Sequence, residues 1–187
     1  MRLFAALDLS DEVRRAVGEA IEKFRPRSKG TRWVRPEGMH VTLKFIGEID
    51  PRQLDPIRET LSRVQCPRAF DVKVRGVGFF PKGRRPRVIW CGIEPSSNLS
   101  GLAEAIDHSL EPLGIAREKR SFVPHLTLAR FKPSERLESL MSAASSLDTF
   151  DFGAVRETEF YLYQSFLKPS GAEYKKLAAF PLSGESI

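Results

Sequence analysis

The tetrapeptides HVTL at residues 40–43 and HLTL at residues 125–128 hold two of the three histidines of this 187-residue chain. On a strand successive side chains alternate between faces, so His40 shares a face with Thr42, and His125 with Thr127. Each segment thereby presents an imidazole beside a hydroxyl. Two such pairs facing one another across a cleft supply a general base, a general acid and two hydroxyl donors without a metal. With an ordinary pKa of about 6.5, one imidazole can take a proton from water or a ribose hydroxyl while the other, protonated, gives one to a leaving oxygen. The threonine hydroxyls would donate to non-bridging phosphate oxygens, where charge builds up in the transition state. The combination suits phosphoryl transfer to or from a ribose hydroxyl. Arg130, beyond the second motif, has the opposite parity from His125 in an ideal strand, and its guanidinium reaches a phosphate if the strand ends there.

A metal centre is the competing use of histidine, and the ligands for one are missing. The chain has no HxH, no HExxH and no acidic cluster beside either motif, and His108 in AIDHSLE reads as a solvated helix residue. No metal and no cofactor are therefore expected. Cys66 and Cys91 form no CxxC pair and read as small buried or half-buried thiols, which fits a reducing compartment.

Net charge is +6, and excess positive charge favours polyanions through phosphate contacts and counterion release. Arg32, Arg35 and Lys44 flank the first motif, and Lys82, Arg84, Arg85 and Arg87 crowd the segment PKGRRPR; all are candidates for contact with RNA phosphates. Phe45, Phe79, Phe80 and Trp90 are candidates to stack a terminal base, although strand alternation sends about half of them to the core. No apolar run approaches the roughly 20 residues that cross a bilayer. The opening MRLFAALDLS reads as a first strand and not as a leader, so no membrane partner and a cytoplasmic location are expected; a monomer is expected as well.

The elements that position the motifs can be read in order. Residues 2–8 form a strand, and Ser10 caps a helix carrying Val13, Ala16, Val17, Ala20, Ile21 and Phe24 inward until Pro26 to Gly30 break it. The first motif strand starts near His40 and stops near Gly47. Asp50 and Pro51 open a helix with Leu54, Ile57, Leu61 and Val64 on one face. Residues 69–80 read as a strand whose glycines permit a bulge, followed by a hairpin tip at PKGRRPR and the strand VIWCGI. Residues 97–113 form a helix stopped by Pro112 and Gly114, and the second motif strand spans about Phe122 to Phe131. Ser134 caps a helix bearing Leu137, Leu140, Met141 and Ala144. Residues 155–167 alternate as one long strand, and a Lys168–Gly171 turn leads to YKKLAAFPL, a last strand or short helix–strand unit. No Gly-, Pro- or Ser-rich linker divides the chain. Residues 1–187 therefore read as one α+β domain in two lobes, with an internal duplication marked by the two motifs.

Taken with their surroundings, MRLFAALDLSDEVR, RWVRPEGMHVTLKFIGE, FFPKGRRPRVIW, SFVPHLTLAR, YLYQS and SGAEYKKLAAFPL, the motifs resemble the 2H phosphoesterase superfamily. Within it they are most similar to the bacterial and archaeal RNA 2′,3′-cyclic phosphodiesterases, also called 2′-5′ RNA ligases. The resemblance implies two pseudo-symmetric lobes, each a mostly antiparallel sheet with outer helices, enclosing a central cleft. It implies metal- and ATP-independent opening of a terminal 2′,3′-cyclic phosphate to a 2′-phosphate, with 2′-5′ ligation as the reverse reaction. RNA ends, tRNA fragments included, or cyclic nucleotides would be the substrates. His40 would protonate the departing 3′-oxygen, His125 would activate water, and Thr42, Thr127 and Arg130 would hold the phosphate. A relative specialised on another small cyclic phosphate or an oligonucleotide 3′ end, and a non-catalytic nucleotide-binding module, are the competing classes; intact motifs in both halves count against the module.

Overall fold

After exposed Arg2, five consecutive buried residues make RLFAAL a strand, β1 (Arg2–Leu7), that is covered on both faces. The Ser10 hydroxyl accepts from the Val13 N–H at 3.3 Å and starts α1 (Asp11–Phe24), with Asp11 and Glu12 at the dipole's positive end and Val13, Val17, Ala20, Ile21 and Phe24 buried. Pro26 ends the α-helix through a 3-10 turn over Arg25–Arg27. The computed structural model describes residues 1–182 apart from Lys29, Cys66, Pro67, Arg84, Ser134, Pro169 and Ser170. The expectations for Cys66, Arg84, the Ser134 cap and the middle of the Lys168–Gly171 turn lie outside the described residues.

Two antiparallel sheets carry the fold. One runs β3 (Val41–Glu48), β1, β8 (Glu159–Lys168), β9 (Gly171–Pro181); the other runs β2 (Arg32–Trp33), β6 (His125–Arg130), β5 (Val88–Ile93), β4 (Phe70–Phe80), β7 (Asp151–Glu157). In each sheet a motif strand lies beside the strand that precedes it across a helix: β3 beside β1, β6 beside β5. The helices change sides. α1 leaves the first sheet yet packs on β7 of the second, beside α4 (Glu138–Ala144). α3 (Ser97–Ser109) leaves the second sheet yet packs on β3 of the first, beside α2 (Leu54–Ser62). Each lobe thus borrows its cover from the other half of the chain, and neither closes its core alone.

Three sequence expectations are corrected. The strand expected at 155–167 is two strands in different sheets, broken at Thr158, because the inward parity slips from odd (Val155, Glu157) to even (Phe160, Leu162). At this crossing Glu157 is buried, and its Oε1 has no hydrogen-bond partner among the described residues; burial first, then the charge of Glu159, raises its carboxyl to about 8, which favours the protonated form at neutral pH. The helix expected at 97–113 ends at Ser109, and Pro112 sits in a separate 3-10 turn closed by left-handed Gly114. The second motif strand begins at His125 and not Phe122, since Pro124 has no N–H for the ladder. The closing segment, for which the sequence allows a strand or a short helix–strand unit, is the strand β9 up to Pro181.

Lys44 is also corrected. It is buried, with Nζ donating to the Asp107 carboxylate on α3 and, at 2.6 Å, to the Ala116 carbonyl, so it ties β3 to its covering helix and faces no RNA. Lys44→Ala leaves Asp107 with Arg117 alone as ionic partner, and breaking a buried pair this way should lower unfolding free energy by about 3 kcal/mol, read as a shift of the urea midpoint. An unchanged midpoint would show that the pair does not hold the lobe together.

Candidate active site

Both histidines are anchored alike. His40 Nδ1 lies 2.9 Å from the Gly38 carbonyl, and His125 Nδ1 lies 2.8 Å from the Val123 carbonyl. A carbonyl oxygen only accepts, so each Nδ1 carries the proton, and in the neutral ring each Nε2 is left with its lone pair for chemistry. In both cases the partner is two residues back, where the chain turns into the strand: after the Pro36–Gly38 3-10 turn in the first lobe, beside Pro124 in the second.

A bulge at the same place in both motifs then sets which side chains join them. On β3 the pairing runs Val41 to Leu7, Thr42 to Ala6, then Lys44 to Ala5 and Phe45 to Phe4, so Leu43 is the extra residue. Thr42 and Phe45 therefore share the face of Ala6 and Phe4, whereas Lys44 shares the core face of Ala5. On β6 His125 pairs with Gly92, Thr127 with Trp90 and Arg130 with Val88, so Leu128 is the extra residue. Arg130 is thereby returned to the face of His125 and Thr127, contrary to its ideal-strand parity. Phe45 and Arg130 occupy the same position in the two motifs, one a bare ring, 61% exposed, and the other an exposed cation.

The surroundings of the two imidazoles differ. The His40 ring lies 4.5 Å from Phe4, 5.9 Å from Tyr163 and 4.9 Å edge-on from Tyr174, between ring centroids. That desolvation, with the positive charge of Arg14 behind it, pulls His40 down to about 4 against the opposing Gly38 hydrogen bond and so favours the neutral imidazole. His125 meets one ring, Phe80, edge-on at 5.3 Å. Phe80 in turn stacks on Trp90 at 4.9 Å, and Trp90 lies flat over Gly78, where a Cβ would come within 2.3 Å of it. Of the aromatic candidates, Phe45, Phe80 and Trp90 border the site, while Phe79 packs into the core. Lys82 and Arg85 are exposed on the β4–β5 hairpin tip, and Arg87, exposed beside it, spends its N–H on the Phe80 carbonyl at 2.6 Å. Arg35 is exposed just before the turn that carries His40.

Arg14 was not foreseen. Its Nη1 donates to the carbonyls of Pro36 at 2.7 Å and Met39 at 3.1 Å, its Nε to that of Leu9 at 3.2 Å, and its Nη2 to Asp8. Asp8 also accepts from Lys176 at 2.5 Å, and that ammonium sits 3.7 Å over the Tyr161 ring. The guanidinium thus fastens the segment ending at His40 onto α1. In sequence, Arg14 reads as one of two adjacent charges on an amphipathic helix, and nothing marks it apart from Arg15. Among the described residues no group of three or more His, Cys, Asp or Glu side chains is placed to hold a metal ion.

The family described as LigT-like phosphoesterase matches residues 7–90 and 93–174, one motif in each segment. An RNA 2′,3′-cyclic phosphodiesterase of Thermotoga maritima is 36% identical over 191 residues, covering 100% of this chain and 98% of its own length. One from Archaeoglobus fulgidus is 36% identical over 180 residues, with 96% and 99% covered. A crystal structure of a Thermus thermophilus protein superposes with a TM-score of 0.83 at 34% identity over the full length of both chains. The Escherichia coli LigT structure complexed with 3′-AMP gives 0.77 at 26% identity, covering 97% of this chain and 98% of that one.

Proposed function

The chain belongs to the LigT-like phosphoesterase family, and we propose that it opens the 2′,3′-cyclic phosphate at an RNA end with His40 and His125 as its two proton-transfer groups. The observation that carries this reading is the matched pair of imidazoles, each fixed through Nδ1 to a carbonyl two residues back, with His125 on the strand face of Thr127 and His40 packed on Phe4, on the side of the sheet that carries Thr42. Water attacks phosphorus as His125 Nε2 takes its proton, the bond from phosphorus to O3′ breaks, and His40 delivers a proton to O3′. A 2′-phosphate and a free 3′-hydroxyl result. Thr42, Thr127 and Arg130 stabilise the non-bridging oxygens, and Phe45 offers its exposed ring to the terminal base. With an RNA 5′-hydroxyl in place of water, the same steps form a 2′-5′ linkage.

The surroundings of His40 favour its neutral form, and it must be charged before it can act as an acid. The anionic phosphate does this, since a negative charge within a few ångströms favours the protonated imidazole. The proposal includes a monomer in a reducing cytoplasm, acting on cleaved RNAs such as tRNA fragments; buried, unpaired Cys91 supports the compartment. No helix among the described residues is long and apolar enough to cross a membrane.

The test is a short RNA ending in a 2′,3′-cyclic phosphate, incubated with the protein in EDTA. A 2′-phosphate product, formed at the same rate with and without chelator, is expected. A 3′-phosphate product, or activity restored only by an added divalent metal, would overturn the scheme.

A further inference from the structure

We infer that Arg32 and Arg130, directly opposed across the β2–β6 pairing, form a subsite for the 5′-phosphate of the nucleotide whose cyclic phosphate lies between the histidines. The inference rests on the reaction proposed above and names the substrate class: chains of two or more nucleotides rather than nucleoside cyclic phosphates. β2 is two residues long, Arg32 opposite Arg130 and Trp33 opposite Ala129, and the Val34 N–H continues the pairing to the Leu128 carbonyl at 2.8 Å. Side chains of directly opposed antiparallel residues share a face at Cβ separations of about 5 Å, and like charges there repel. Both arginines are exposed, and neither side chain makes a hydrogen bond or ion pair with any described residue.

The adjacent carboxylate does not relieve them. Glu135 accepts from the Thr31 hydroxyl at 2.5 Å and from the Lys132 N–H at 2.9 Å. A third cation borders the same rim from the other sheet: burial raises the Tyr174 phenol, and the charges of Arg130 and Arg2 oppose that rise, so both act on the ring that packs edge-on against His40. Arg130 and Arg2 thus bear on the same phenol from the two sheets, and among the described residues Arg2, Arg32 and Arg130 have no carboxylate at ion-pair distance. His125, Thr127 and Arg130 follow one another along one face of β6, opposite Gly92, Trp90 and Val88, so the space between Arg130 and Arg32 lies four ladder positions beyond His125 and two beyond Thr127, at roughly 3.3 Å of strand per position. The histidines and threonines are occupied by the cyclic phosphate, and Arg130, with five N–H donors, keeps donors for a second anion while it reaches a non-bridging oxygen of the first. The next anion along the same nucleotide is its 5′-phosphate, which in RNA is the linkage to the preceding residue. A phosphate there would convert a repulsive cross-strand pair into two charge-assisted hydrogen-bonding sites.

The experiment compares adenosine 2′,3′-cyclic phosphate with its 5′-phosphorylated form in the full-length protein, Arg32→Ala and Arg32→Lys. The ratio of kcat/KM for the phosphorylated over the unphosphorylated substrate should be about 10 or more in the wild type, fall towards 1 in Arg32→Ala and recover partly in Arg32→Lys. A parallel titration with adenosine 3′,5′-bisphosphate and adenosine 3′-phosphate reads the same ratio as binding, independent of turnover. Arg32→Ala should also raise the thermal midpoint at low salt by removing the repulsion, which shows that the variant is folded. An equal substrate ratio in wild type and Arg32→Ala, or an equal binding ratio, overturns the subsite. Absence of turnover with both cyclic phosphates and with a short RNA ending in a 2′,3′-cyclic phosphate, with the binding ratio still dependent on Arg32, overturns the proposed reaction and leaves the subsite standing.

Discussion

Alanine at His40 or at His125 is expected to lower kcat by about two to four orders of magnitude, and the double variant should be little worse than either single one. The reason is geometric. Each Nδ1 is committed to a backbone carbonyl, so Nε2 is the one atom of each ring that can exchange a proton with substrate, and neither neighbouring threonine can replace it. Once one transfer is lost, the other no longer has a partner step to balance, and the losses fail to add. The two sites also predict different side effects. His40 fills a box of Phe4, Tyr163 and Tyr174, so His40→Ala should lose some stability, whereas half-exposed His125 packs edge-on against the one ring of Phe80 and its alanine variant should unfold much like the wild type. Single-turnover rates together with urea unfolding separate the effects. Near-wild-type turnover in either single variant would remove that residue from the mechanism.

Alternation along a strand was enough to place each histidine beside its threonine, and helical spacing found the buried stripes of α1, α2 and α3. What alternation misread is traceable to the bulges. Leu43 and Leu128 each add a residue that an ideal period of two cannot show, and the same insertion sends Lys44 inward to Asp107 and brings Arg130 outward to the phosphate face. The sign was present as a pair of consecutive buried residues after each threonine, Leu43 with Lys44 and Leu128 with Ala129, but a lysine in that place argues against burial until its partner on α3 is known. β2 is too short to have a period, so the opposition of Arg32 and Arg130 was beyond any pattern. The exchange of helices between lobes was equally hidden, because periodicity reports which face of a helix is apolar and is silent about which sheet receives it.

Arg14 shows the same limit, and the largest remaining effect is expected there. Arg14→Met should lower kcat by about 10- to 100-fold with a smaller change in KM, and Arg14→Lys should recover part of it, because a displacement of about 1 Å at a reacting group can cost on the order of 100-fold. The guanidinium holds the Pro36 and Met39 carbonyls, and Met39 immediately precedes His40. It is also a positive charge beside an imidazole already desolvated by three rings, and both influences hold His40 at about 4. Removing the charge takes away the smaller of them, so the His40 pKa should rise towards the ordinary value, and the imidazole of the empty enzyme should begin to charge at a higher pH than in the wild type. A purely structural role for Arg14 would leave that titration where it is. Following the His40 ring by NMR between pH 3.5 and 8 decides the matter. The wild-type ring should titrate near the low end when the cleft is empty and move upward in inorganic sulfate, whose two charges stand in for the phosphate without titrating in this range. In Arg14→Met the empty-site titration should already be shifted upward and the further movement in sulfate should be smaller. Equal titrations in the two proteins would mean that burial by Phe4, Tyr163 and Tyr174 sets the charge on His40 alone, and that Arg14 serves the mechanism through the backbone it fastens.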